Sequence, residues 1–121
     1  MDDYQQIAER YLATWNETDP GRRRQLIDQL YAAEGGYTDP NVALRGPDEI
    51  DGFVDATQKR FPGYVFTLGS AVDGHHEQSR FNWHGTAPGA AEPEYVGFDV
   101  VVTEDGRIRE VYGFMDRMPQ A

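Results

Sequence analysis

Three residues have types and positions that could support proton transfer. Asp39 stands in residues 36–40, where Pro40 biases it away from the helical region and fixes the carboxylate as the chain turns. Tyr11 places a phenolic hydroxyl on an apolar helix stripe, and Asp99 places a carboxyl in an apolar run. A base, a hydroxyl donor and a second acid would together form a proton-transfer site in a cone-shaped pocket. The alternative for Asp39 is an ordinary turn residue, because Asp-Pro is a common turn dipeptide.

Further side chains are predicted to line such a pocket: Trp15, Phe53, Phe61, Trp83, His84 and Asp116. Plain core packing is the alternative for the aromatic residues, and for Tyr11 with its hydroxyl satisfied by a neighbour. His84 could act as a general base, but a histidine without a fixed partner also suits a partly exposed strand position.

Two adjacent histidines, His75 and His76, invite a metal interpretation because Asp73 and Glu77 flank them. Neighbouring residues in a strand turn point in different directions, so their rings would not converge on one ion. We therefore predict no metal site.

The composition limits the classes of partner. A chain of 121 residues is expected to form a single domain over residues 1–121, and its 21 acidic against 11 basic residues repel phosphate backbones. The basic run at residues 22–24 is interpreted as a solvated helix face. The absence of cysteine excludes disulfides and thiolate chemistry. No stretch approaches the roughly 18 apolar residues of a membrane span, and no signal peptide is recognisable, so we expect a cytoplasmic protein.

Apolar residues at helical spacing predict three helices. The stripe of the first comprises Tyr4, Ile7, Ala8, Tyr11, Leu12 and Trp15, and residues 16–20 end it. Asp19 is expected to cap the second helix with Pro20 in its first position, and Gly35-Gly36 to stop it. The third helix should begin at Pro47, with acidic residues in its first turn and basic residues in its last.

From residue 64 onward, apolar residues recur at every second position. Four strands are predicted at residues 64–72, 78–86, 94–103 and 107–118, after a short extended piece at residues 37–39. Helices followed by an antiparallel meander indicate an α+β domain, with three N-terminal helices on one face of a curved antiparallel sheet.

The order of these elements resembles the nuclear transport factor 2-like superfamily, and within it the SnoaL-like branch. The resemblance rests on residues 10–16, 37–40, 45–50 and 108–116, and it covers nearly the whole chain. It implies a deep, mostly apolar cone and an outer sheet face that often forms a dimer. Because the superfamily holds isomerases, polyketide cyclases and non-catalytic binders, the fold alone does not decide the function.

Ketosteroid isomerase, a worked example of tuned carboxylates, is similar at three positions. The similarity implies that Asp39 is the base, and that Tyr11 and a neutral Asp99 donate to a developing enolate oxygen. Asp116 is a second candidate for the acid, because SnoaL-like cyclases place a catalytic carboxylate on late strands. Strand alternation places Asp99 on one face of its strand and the more apolar Val96 and Phe98 on the other. If the more apolar face is the buried one, Asp99 points outward. The resemblance instead implies that Asp99 points into the pocket.

The resulting hypothesis is a cofactor-independent isomerase or cyclase that abstracts a proton next to the carbonyl of an apolar small molecule. A non-catalytic binder of such a molecule, and a protein-interaction domain on the same fold, remain as alternatives. The apolar face that carries Val96, Phe98, Val100 and Val102 predicts a homodimer that packs sheet on sheet. Nucleic acid and membranes are not expected as partners.

Overall fold

The computed structural model describes residues 3–119. The helices are α1 (Tyr4–Asn16), α2 (Pro20–Leu30) and α3 (Pro47–Arg60), and the strands are β1 (Tyr31–Asp39), β2 (Val42–Arg45), β3 (Val65–Leu68), β4 (Asp73–His75), β5 (Gln78–Thr86), β6 (Tyr95–Glu104) and β7 (Arg107–Arg117). None of the helices in this part of the chain is long and apolar enough to cross a membrane.

Helix starts follow the capping chemistry of the sequence. Asp19 caps α2 by accepting a hydrogen bond from the backbone N–H of Arg22 at 2.8 Å, and Pro20 occupies the first helical position, as predicted. The start of α3 at Pro47 and its charge distribution are also as predicted, with acids in the first turn and Lys59 and Arg60 in the last.

The predicted end of α2 at the glycine pair is wrong. The helix ends at Leu30, and Tyr31 already has an extended backbone with φ −91° and ψ 148°. Gly35 and Gly36 lie inside β1, where a Cβ on Gly35 would stand 3.0 Å from the carbonyl oxygen of Ile108. The two glycines therefore allow neighbouring segments of the chain to approach closely, and they do not stop a helix.

The strands form one curved, unclosed sheet in the order β2-β1-β7-β6-β5-β3, with β4 pairing to β5. The α+β fold class is confirmed, but the sheet is mixed and not antiparallel throughout, because β1 pairs parallel to β7 with Thr38 opposite Tyr112. The strand β5 spans the predicted residues, whereas β2 and β4 were missed because they are only 4 and 3 residues long.

Alternation along the strands gives the sheet one buried face. On β5 the buried residues are Ser79, Phe81, Trp83 and Gly85, and on β6 they are Tyr95, Gly97, Asp99 and Val101. The three helices cover this face, which is the concave side of the sheet. Residues between them, such as Val96 and Phe98, are half-buried on the convex side.

One arginine of the basic run is buried, so the prediction of a solvated face is wrong for Arg23. It is 2 % exposed, and its guanidinium donates to Asp51 at 2.8 Å, to Asp55 at 3.1 Å and to Gln58 at 2.9 Å. Gln58 in turn donates to the carbonyl of Trp15 at 3.0 Å. Helical geometry turns the middle residue of the run toward α3, and the resulting network ties the three helices together.

Candidate functional site

The helices and the concave face of the sheet enclose a small cavity of about 20 Å³. Its lining is almost entirely aromatic and aliphatic, with one carboxyl group: Tyr11, Leu12, Trp15, Tyr37, Thr57, Phe66, Trp83, Tyr95, Asp99 and Met115. A space of this size holds about one water molecule. In this conformation a larger ligand enters only if lining side chains move.

Asp99 is the buried acid of the cavity. It is 2 % exposed, and it lies opposite Gly113 of β7, where a Cβ would stand 2.9 Å from its Oδ1. Burial raises the pKa of Asp99 from 3.8 to about 7, the nearby hydroxyl of Tyr11 and indole N–H of Trp83 lower it, and the charge of Asp39 raises it. The carboxyl is therefore near its midpoint of protonation at neutral pH. Asp99 therefore points inward, and the expectation that the more apolar face of its strand is the buried one is wrong.

Asp39 lies at the end of β1, on the other side of Gly113 from Asp99. A Cβ on Gly113 would stand 3.3 Å from the Cβ of Asp39. The Oδ1 of Asp39 accepts from the backbone N–H of Asn41 at 2.8 Å and of Val42 at 3.2 Å, while its Oδ2 accepts from the Tyr37 hydroxyl at 2.7 Å. The turn role that the Asp-Pro dipeptide allows is thus present. The carboxylate is buried but does not line the cavity, and its hydrogen bond to a lining residue is the one from Tyr37.

Buried tyrosines surround the two acids. Burial and then the charge of Asp99 raise the pKa of Tyr11 and of Tyr37 well above 10. Burial and then the charge of Asp39 raise the pKa of Tyr95 to about 12. These hydroxyls remain protonated at neutral pH, so they can donate hydrogen bonds to an acceptor oxygen and cannot act as bases.

Trp83 contributes a polar atom without a well-formed hydrogen bond. Its Nε1 is buried, and among residues 3–119 it makes no hydrogen bond of good geometry; it does interact with the Asp99 carboxyl as a hydrogen-bond donor, and this lowers the pKa of Asp99. Native structures rarely leave such a donor unsatisfied.

Four of the residues predicted to line the pocket lie elsewhere. Phe53 packs behind the lining against the rings of Trp15 and Tyr37, and Phe61 packs against Tyr64 and Tyr95. These rings stabilise the wall of the cone and do not face its interior.

The two polar candidates are outside the cavity because strand alternation points them away from it. His84 follows the inward-facing Trp83 and so lies on the convex side of β5, where its ring packs over Gly69. Asp116 follows Met115, which lines the cavity, and is exposed at the end of β7.

The sequence interpretation missed Tyr37, Tyr95, Phe66, Thr57, Leu12 and Met115 as lining residues. A usable signal existed for two of them. Tyr37 stands two residues before Asp39, and Tyr95 stands four residues before Asp99, so each shares a strand face with its acid.

Residues 3–119 contain no group of three or more metal-ligating side chains. The two histidines do approach each other, with His75 Nδ1 and His76 Nδ1 3.0 Å apart and His75 Nε2 3.0 Å from the Gln78 amide. These ring nitrogens are occupied by one another and by an amide, and the pair is exposed.

Comparison with known proteins places this architecture in the nuclear transport factor 2-like superfamily. The SnoaL-like domain family matches residues 8–111, and the chain belongs to that family. A proposed isomerase of the SnoaL-like family from Agrobacterium tumefaciens is 39 % identical, with a TM-score of 0.89 over 93 % of this chain and 97 % of that one. The resemblance noted from the sequence is confirmed.

More distant structures share the fold alone. A proposed SnoaL-like polyketide cyclase from Jannaschia sp. CCS1 is 16 % identical, with a TM-score of 0.72 over 96 % of this chain and 91 % of that one. A proposed ketosteroid isomerase from Kribbella flavida is 19 % identical, with a TM-score of 0.69 over 95 % of this chain and 78 % of that one. No curated protein matches the sequence.

Proposed function

We propose that this protein binds an apolar small molecule with one carbonyl or phenol oxygen and moves a proton next to that carbonyl, as an isomerase or a cyclase. The observation that most directly supports this proposal is the position of Asp99. Its carboxyl is enclosed by apolar and aromatic side chains beside the hydroxyl of Tyr11. No arginine or lysine is among the groups that shift its pKa. A buried acid without a cation costs stability, and such groups concentrate at functional sites.

The roles follow from the protonation states. Protonated Asp99 and Tyr11 would donate hydrogen bonds to an oxygen that gains negative charge as the proton leaves the neighbouring carbon. Asp39 would take that proton as the base. Because its oxygens are held by Tyr37 and by the turn, Asp39 must exchange the Tyr37 hydroxyl for the substrate as the ligand enters. Met115, half-buried and unbranched, is a lining side chain that can move to admit a ligand.

The chemistry can be tested without the natural substrate. The protein is incubated in D₂O with a panel of cyclic ketones and 1,3-diketones, and deuterium uptake at the carbon next to the carbonyl is followed by NMR. We expect Asp39→Asn to abolish most of the catalysed exchange while ligand binding persists. Tyr11→Phe should cost about 2–4 kcal/mol of transition-state stabilisation, as other oxyanion donors do.

Asp116→Asn is the matched control, because it makes the same chemical change at an exposed carboxylate of β7. Exchange that is equal in Asp39→Asn, Asp116→Asn and wild type would refute Asp39 as the base. Tight ligand binding without exchange in any variant would favour the non-catalytic binder.

A homodimer is proposed from a second surface. On the convex face, the rings of Phe98 and Phe114 stack with centroids 4.8 Å apart, and Phe114 and Tyr112 remain 49 % and 43 % exposed. Adjacent large apolar side chains on a sheet favour burial against a second copy. The same face supports the alternative of an interaction domain, in which a different protein would cover it.

A further inference from the structure

The starting observation is the orientation of the Trp83 indole. Trp83 pairs with Gly97 across β5 and β6, and a Cβ on Gly97 would stand 2.6 Å from its Cζ2. The absence of a side chain at Gly97 therefore lets the indole pack closely against β6, where its N–H interacts with the carboxyl of Asp99. An alanine at position 97 would displace the ring.

The second observation is that the Trp83 N–H has no well-formed hydrogen bond in the structure. Tyr11 interacts with Asp99, and the Tyr37 hydroxyl donates to Asp39, whereas Trp83 Nε1 is buried without a well-formed hydrogen bond among the described residues; its interaction is with Asp99, whose pKa it lowers. A buried, unsatisfied N–H costs about 1–3 kcal/mol. A phenylalanine would fill much of the same space without that cost.

The third observation is where the donor lies. Trp83, Tyr11 and Asp99 all line the aromatic cavity, and each of these side chains can donate a hydrogen bond when Asp99 is protonated. An anionic phenolate or enolate oxygen has three lone pairs and can accept three such hydrogen bonds, whereas an ether oxygen has two lone pairs and a hydrocarbon has none.

We propose that the Trp83 indole N–H is a third donor to the ligand oxygen, so that the site selects phenolate and enolate oxygens over apolar groups of the same shape. This inference rests on the proposed function, since it concerns the same cavity. Trp83 would contact the ligand directly, and its role would not be to position another residue.

Two compounds of nearly equal shape test the proposal: 2-naphthol, which carries the oxygen, and 2-methylnaphthalene, which carries a methyl group in its place. Their affinities are measured by titration calorimetry for wild type and for Trp83→Phe. Loss of the N–H should weaken 2-naphthol binding about tenfold, which corresponds to about 1.4 kcal/mol, and leave 2-methylnaphthalene unchanged. The control is Trp15→Phe, the same change at the second tryptophan of the lining, which should affect both compounds equally.

NMR of the wild-type protein provides a second measurement, in which the response to each ligand is recorded without any substitution; if Trp83→Phe does not fold, Trp15→Phe gives the same assignment. The chain has two tryptophans, so two indole N–H signals are expected, and Trp83→Phe identifies one of them by its loss. We expect the Trp83 signal to move downfield with 2-naphthol and to stay near its free position with 2-methylnaphthalene.

The outcomes separate the inference from the function on which it rests. If 2-naphthol binds wild type and Trp83→Phe equally, or if Trp83→Phe changes only the pKa of Asp99, the third donor is refuted while the binding function stands. If wild type binds neither compound and no other flat carbonyl or phenol, both are refuted.

Discussion

Replacement of Asp99 by asparagine should reveal how the buried carboxyl controls stability with pH. Because burial raises the pKa of Asp99 from 3.8 to about 7, the folded protein holds this proton over a range where the unfolded chain has lost it. The carboxyl therefore costs no stability below its unfolded pKa. The cost grows as pH rises from there to the folded pKa and is constant above it. At 1.36 kcal/mol per pKa unit, the full cost is about 4 kcal/mol at high pH.

The amide side chain of the Asp99→Asn variant stays neutral, so the variant does not carry this cost. Relative to wild type, its free energy of unfolding should increase by about 2 kcal/mol between about pH 5.5 and about pH 9, since about 1.5 units of that range lie below the folded pKa. Urea unfolding of both proteins across this interval measures the difference, and it avoids the isoelectric point near 4.5.

The slope with pH is the diagnostic quantity, because the amide also changes the hydrogen bonding around Tyr11 by a constant amount. Asp116→Asn serves as the control, because it makes the same chemical change at a side chain that is exposed at the end of β7. A flat difference for Asp99→Asn, or a slope of the opposite sign, would refute the burial argument for Asp99.

Three other perturbations have expected outcomes. Tyr37→Phe should lower the free energy of unfolding by about 1–3 kcal/mol in urea titrations, because it leaves the buried Oδ2 of Asp39 without its donor. Asn16→Ala should cost about 1–3 kcal/mol in thermal unfolding, because the Asn16 amide exchanges two 2.8 Å hydrogen bonds with the backbone of Phe66; a change below about 0.5 kcal/mol would contradict this. Phe114→Glu should convert the expected homodimer to monomer in sedimentation at micromolar concentration, and a wild-type monomer would contradict the proposed dimer.

The helix starts were predictable because their signals are local. An aspartate before a proline at positions 19 and 20 carries its own capping chemistry, and the structure uses it as expected. The end of α2 was not predictable in the same way. Gly35 and Gly36 have the composition of a helix stop, but the approach of β7, about seventy residues later in the chain, makes them strand residues.

The site was only partly predictable for a similar reason. Tyr11 and Asp99 were identified from a resemblance, yet the face of β6 that Asp99 occupies depends on which side of the sheet the helices cover. His84 and Asp116 were chosen by residue type, and the alternation of Trp83 and Met115 beside them turns both outward. Side-chain type can be taken from the sequence, whereas direction relative to the cavity is a property of the assembled sheet.

The parallel pairing of β1 with β7 makes completion of the sheet depend on two strands that are far apart in the sequence. Within residues 3–119, β7 is the strand that connects the β1–β2 hairpin to β6, and it is also the element that stands between Asp39 and Asp99. Until β7 has left the ribosome, the apolar stripes of the helices have only part of a sheet to cover them. Contacts of such long sequence separation slow folding and expose the chain to aggregation, so a nascent chain that stalls before Arg107 should depend on chaperones.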